Sequence, residues 1–130
     1  MNLPITIRNN EYYKIEVAPD KNRAYLTIKG FWRNKETVPD YLKDWTTATL
    51  SLRKGFTLLT DASEMKTHPK DVQALHGQAQ SILLKVGVRK VAEIMKDNIA
   101  ELQLDAVAKA TQFPKKNFRT KEDAEKWLDE

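Results

Sequence analysis

The sequence predicts one α/β domain: a mixed sheet of four to five strands, opening with a β-hairpin and carrying about four helices. Three observations lead there. Two early runs alternate apolar and polar residues with period two. The period changes to 3.6 after residue 40. From there short apolar runs alternate with helical stripes, the pattern of parallel strands joined by crossover helices. A length of 130 residues suits one domain, read here as residues 1–130 with 1–10 as an N-terminal extension.

Tyr13, Ile15 and Val17 share one face of an extended run, with Lys14 and Glu16 on the other. Ala18 to Asn22 supplies turn residues, and Ala24, Leu26 and Ile28 mark the return strand. Gly30-Phe31-Trp32 closes it. Tyr41, Leu42, Trp45, Ala48 and Leu52 then recur at helical spacing. Thr37 or Val38 before Pro39 suits the helix start, and Gly55 its stop.

Phe56 to Asp61 is too short and too apolar for a helix, and reads as a strand buried on both faces. Val72, Leu75, Ala79, Ile82, Leu83 and Val86 form the next helical stripe, ended by Gly87. A strand lies within Val88 to Met95. Asn98, with Glu101 three residues on, marks a helix start, and Ile99, Leu102, Ala106 and Ala110 are its expected inward stripe. Phe113-Pro114 breaks that helix. Phe118-Arg119 is a short strand, and Ala124, Trp127 and Leu128 face inward from a last helix begun at Thr120.

Composition narrows the function. Net charge is 22 − 18 = +4, and acidic residues interrupt each basic cluster (Arg53-Lys54, Arg89-Lys90, Lys115-Lys116 with Arg119), so no nucleic-acid partner is expected. There is no cysteine, which excludes disulfides and thiolate chemistry. No run of apolar residues is long enough to span a bilayer. No export signal is visible, so the cytoplasm is the expected compartment. Four glycines mostly end elements and none forms a phosphate-cradling loop, so no cofactor is expected.

Gly30-Phe31-Trp32, Leu58-Leu59-Thr60-Asp61 with Ala62-Ser63-Glu64-Met65, and Phe118-Arg119-Thr120 with Ala124-Glu125-Lys126-Trp127-Leu128 carry a resemblance. They resemble the STAS domain, the anti-sigma-factor-antagonist-like fold, and more narrowly its SpoIIAA-like group of bacterial proteins. The resemblance spans Tyr12 to Leu128 and implies a non-enzymatic regulatory or protein-binding module, with a protein partner or a second copy as its target. STAS antagonists carry a phosphorylated Asp-Ser-Ser-Gly-like segment. The matching stretch here is Lys66-Thr67-His68-Pro69, which lacks the serines and the glycine and leaves Thr67 as the one candidate phosphoacceptor. Related CRAL-TRIO proteins bind lipids, which makes a small-molecule carrier the alternative; that role needs an apolar cavity.

Open α/β sheets bind ligands beyond the carboxyl ends of their parallel strands. Asp61, Ser63, Lys66, Thr67 and His68 collect there after one strand, and Lys96, Asp97 and Asn98 after the next. Asp61, Ser63 and His68 contain the residue types of a hydrolytic triad, but no nucleophile elbow accompanies them. His68 and His76, two helical turns or about 12 Å apart if both are helical, are too distant to share an ion, so no metal is expected. Of Phe31 and Trp32 one must face outward; Trp32, with Tyr25, is the expected partner surface. Trp45 and Trp127 belong to the core.

Overall fold

The computed structural model describes residues 4–130. Six strands form one sheet in sequence order: β1 (Ile5–Asn9), β2 (Tyr13–Ala18), β3 (Arg23–Gly30), β4 (Thr57–Met65), β5 (Lys90–Ile94) and β6 (Lys115–Phe118). The first three pair antiparallel, and β3 to β6 pair parallel. Helices α1 (Tyr41–Thr49), α2 (Lys70–Val86) and α3 (Asn98–Thr111) are the three crossovers, and α4 (Lys121–Asp129) ends the chain. The parallel strands are added in one direction across the sheet. Right-handed crossovers therefore put α1, α2 and α3 side by side on one face. Helix α4 packs on the other face, over β4, β5 and β6.

Alternation along the central strands serves both faces. Leu58 and Val91 point into the large core beneath α1 to α3, whereas Leu59 and Ala92 point into a smaller core with Ala124 and Leu128 of α4. This two-sided burial is why Phe56 to Asp61 reads as a continuous apolar run.

The sheet has six strands because part of the expected N-terminal extension is itself a strand; its first three residues lie outside the described ones. Ile5 and Ile7 alternate with Thr6 and Arg8, and β1 pairs with β2 across a bulge between Thr6 and Arg8. A long-range contact holds this edge. Arg8 donates from Nε and Nη2 to the two carboxylate oxygens of Asp44 on α1, at 2.8 and 3.0 Å. Tyr13 donates its hydroxyl to the same carboxylate at 2.5 Å. The chain between β3 and α1 first makes a 3-10 turn, Lys35–Thr37, capped by Asn34, so α1 starts at Tyr41 rather than at Pro39. It also ends at Thr49, before Gly55.

Candidate functional site at the carboxyl edge of the parallel strands

Gly30 ends β3 with φ of +65°, a turn that β-branched or bulky residues resist. After it the two aromatics separate. Phe31 is 53% exposed, and Trp32 is fully buried. The outward residue is therefore Phe31, and not Trp32 as expected. Trp32 is held inside because its indole N–H donates to the Tyr12 carbonyl at 3.0 Å and its ring packs among Tyr13, Tyr41, His68 and His76. Tyr25 is also not a free patch. It is half-buried and packs on the α4 core, beside a narrow polar cleft of about 90 Å³ that Glu16, Asp61 and Lys121 share.

The two histidines meet. His68 Nδ1 lies 3.0 Å from His76 Nε2, and the rings are nearly coplanar at 10° with centroids 5.3 Å apart. That is edge-to-edge hydrogen bonding rather than face stacking. The expected separation of about 12 Å does not hold, because His68 precedes α2: the extended Pro69 intervenes and brings the ring back over the helix. His68 Nε2 faces the Gly30 carbonyl at 3.1 Å. A carbonyl only accepts, so His68 carries its proton on Nε2, and its bare Nδ1 accepts from His76 Nε2–H. Burial holds the His68 pKa below its ordinary value. Burial, with the neighbouring His68, pushes His76 down to about 3. The pair is thus neutral at pH 7, as a dry aromatic setting requires.

His68 is also tied to α3. Its backbone N–H donates to Gln103 Oε1 at 2.8 Å, and its carbonyl accepts from Gln103 Nε2 and Gln73 Nε2. Gln103 belongs to no motif and carries no signal in the sequence, whereas Phe31 stands in the Gly30-Phe31-Trp32 motif as the alternative to Trp32.

The remaining edge residues divide. Asp61 and Ser63 bond to each other, Ser63 Oγ to Asp61 Oδ1 at 2.6 Å, and Asp61 lines the cleft on the α4 face. His68 sits on the opposite face with both ring nitrogens engaged elsewhere, so the three triad residue types are not assembled. Lys66, Thr67, Lys96 and Asn98 are exposed. Asp97, not Asn98, caps α3: its Oδ1 accepts from the Ile99 and Ala100 N–H groups, both at 2.9 Å. Asp and Asn are equally good caps, so the spacing to Glu101 misplaced the start by one residue.

Helix α3 turns its expected stripe outward. Ala100, Leu104 and Ala108 are buried, whereas Ile99 is 61% and Leu102 is 68% exposed, with Ala106 and Ala110 also exposed. At 100° per residue the two sets are centred about 160° apart. Gln103, Val107 and Thr111 lie between them, toward α2. A shallow apolar groove of about 330 Å³ runs here, lined by Gln73, Ala74 and Gly77 of α2 and by Ala106, Val107 and Ala110 of α3.

Beneath α1 to α3 lies a narrow cavity of about 30 Å³, with Tyr41, Trp45, Thr60, His76, Gln80 and Glu93 among its lining residues. The Trp45 indole N–H is the one buried side-chain polar atom without a partner among the described residues. The volume suits one or two waters, not an acyl chain. Glu93 is buried against Lys115 at 2.7 Å, which lies 2.6 Å from Asp105; burial still raises the Glu93 pKa. Arg119 pairs with Glu101 at 3.1 Å. The expected basic cluster at 115–119 is therefore largely neutralised within the fold.

No protein-family model and no curated protein matches this chain. Among solved structures it is similar to an uncharacterised protein of the DUF3478 family from Shewanella loihica PV-4, described as having a SpoIIAA-like fold. The two share 18% identity at a TM-score of 0.60, over 98% of this chain and 97% of that one. The chain accordingly has a SpoIIAA-like fold. No helix among the described residues is long and apolar enough to cross a membrane.

Proposed function

We propose that this chain is a non-enzymatic, STAS-like regulatory module that acts in the cytoplasm by docking a protein partner on the α2–α3 face. The observation that carries this reading is the outward stripe of α3. Ile99 and Leu102 are more than half exposed beside an apolar groove, while the same helix has already buried Ala100, Leu104 and Ala108. An apolar surface that folding does not use is the ordinary mark of an interaction site. Phe31, 6.5 Å from the His68 ring, and Gln103, bonded to the His68 backbone, connect this face to the exposed Lys66-Thr67 loop. A phosphate on Thr67 would change the charge at the rim of the docking surface by about −1.5 to −2. The cavity of about 30 Å³ is too small for an acyl chain, which favours this reading over a lipid carrier.

The test is a photoreactive phenylalanine analogue placed at position 102 and, as control, at Lys126, with the protein expressed in its native host. Covalent adducts with another protein chain from position 102, and few from 126, are expected. Equal and low labelling from both positions would overturn the docking role.

A further inference from the structure

We propose that the α2–α3 face pairs with a second copy of this chain, α3 against α3 in antiparallel orientation about a two-fold axis near Ala106. The inference rests on the docking role of that face and names its occupant.

The face fits itself. Its N-terminal half is a ridge, where Ile99 and Leu102 stand 61% and 68% exposed. Its C-terminal half is the groove, floored by small residues: Ala74, Gly77, Ala106 and Ala110. Gly77 keeps the floor low. Even one added methyl group there would stand 3.6 Å from Val107 Cγ1. Leu102 and Ala110 are eight residues apart, about 12 Å along the helix. A two-fold near Ala106 therefore sets Leu102 of each copy at the level of Ala110 of the other along the helix axis. A closed interface of this kind needs ridge and groove on one patch, which is what α3 supplies.

The charged rim agrees. Asp105 and Lys109 lie on the same flank of the stripe, one helical turn apart. A two-fold lying between the helices brings like flanks together with the direction reversed, so Lys109 of each copy comes beside Asp105 of the other. The Asp105 side chain remains 44% exposed although it contacts Lys115, so it can take a second cation. Among the described residues no charged side chain lines the groove itself.

The size of the face sets the strength. Fourteen helical residues span about 21 Å, and two helices about 20 Å, or roughly 400 Å² in plan. That is about half the area per partner of a standard interface, so the dimer is concentration-dependent.

Sedimentation velocity of the full chain from about 1 µM to about 1 mM tests this, across the range where weak dimers dissociate. The sedimenting species is expected to shift from one chain to two. Leu102→Glu should remain monomeric throughout. Leu50→Glu should dimerise as the parent does, because Leu50 is 83% exposed but lies beyond α1, away from the groove. The absence of native cysteine permits a second readout that needs no disruptive change. Ala106→Cys should oxidise rapidly to a disulfide-linked dimer, and Leu50→Cys should not. A single-chain mass at all concentrations, together with equal cross-linking of the two cysteine variants, would overturn the pairing. That outcome leaves the docking role to be judged by hetero-adducts from position 102, so the two failures are distinguishable.

Discussion

Lowering the pH should destabilise this fold through His76, and the size of the effect follows from its surroundings. The ring is buried among Trp32, Tyr41 and His68, and its pKa falls from 6.5 to about 3. A depressed folded-state value gives a contribution that is fully present above the unfolded pKa of 6.5. It is lost progressively as the pH falls toward 3, because only the unfolded chain takes up the proton. Between pH 7 and 5.5 the loss is about 1 kcal/mol, and by pH 4.5 about 2–3 kcal/mol, at 1.36 kcal/mol per pH unit below 6.5. His68 adds in the same direction. Glu93 acts oppositely: its raised pKa means that acid relieves a buried charge. A comparison with His76→Gln removes these shared terms, because the glutamine amide keeps a donor near His68 Nδ1 and does not titrate. Urea unfolding, followed by circular dichroism at each pH, should show the parent losing stability faster than His76→Gln by those amounts. Parallel pH profiles for the two proteins would refute the buried neutral pair.

Three further outcomes are expected. Arg8→Ala leaves the Asp44 carboxylate with Tyr13 as its only side-chain donor among the described residues; the midpoint of urea unfolding should fall, with faster amide exchange across β1 and β2. Gly87→Ala meets both a φ of +108° and Lys54 Cγ at 2.8 Å from the added methyl, and should cost about 1–3 kcal/mol in the same assay. Intact-mass analysis from native cells should find a phosphorylated fraction lost in Thr67→Ala; an unmodified protein under all growth conditions would remove Thr67 from the proposed regulation.

The fold was legible where burial follows period. The alternating runs at 13–17 and 24–28 and the stripe of α2 announced their elements, since each faces one core with one period. β1 was not, because a five-residue edge strand has little apolar pattern and is held by Arg8 and Asp44, 36 positions apart. The carboxyl edge was legible as a place but not as a contact set. Trp32 against Phe31 turns on the single backbone angle of Gly30. The His68–His76 contact depends on where α2 begins. Helix α3 is apolar around most of its circumference, and periodicity alone does not say which half a neighbour covers. The half chosen from sequence is the exposed one, and that mismatch is what carries the docking proposal.

Leu102 and Leu104 offer the most direct test of that claim, being the same residue on the same helix, one 68% and the other 3% exposed. Urea unfolding of Leu102→Gln and Leu104→Gln at low micromolar concentration separates use from structure, since Leu and Gln have similar helix propensity. A change within about 0.5 kcal/mol is expected for Leu102→Gln and a loss of about 2–5 kcal/mol for Leu104→Gln. Comparable losses from both would mean that the outer stripe of α3 serves the fold, contradicting its assignment as a docking surface.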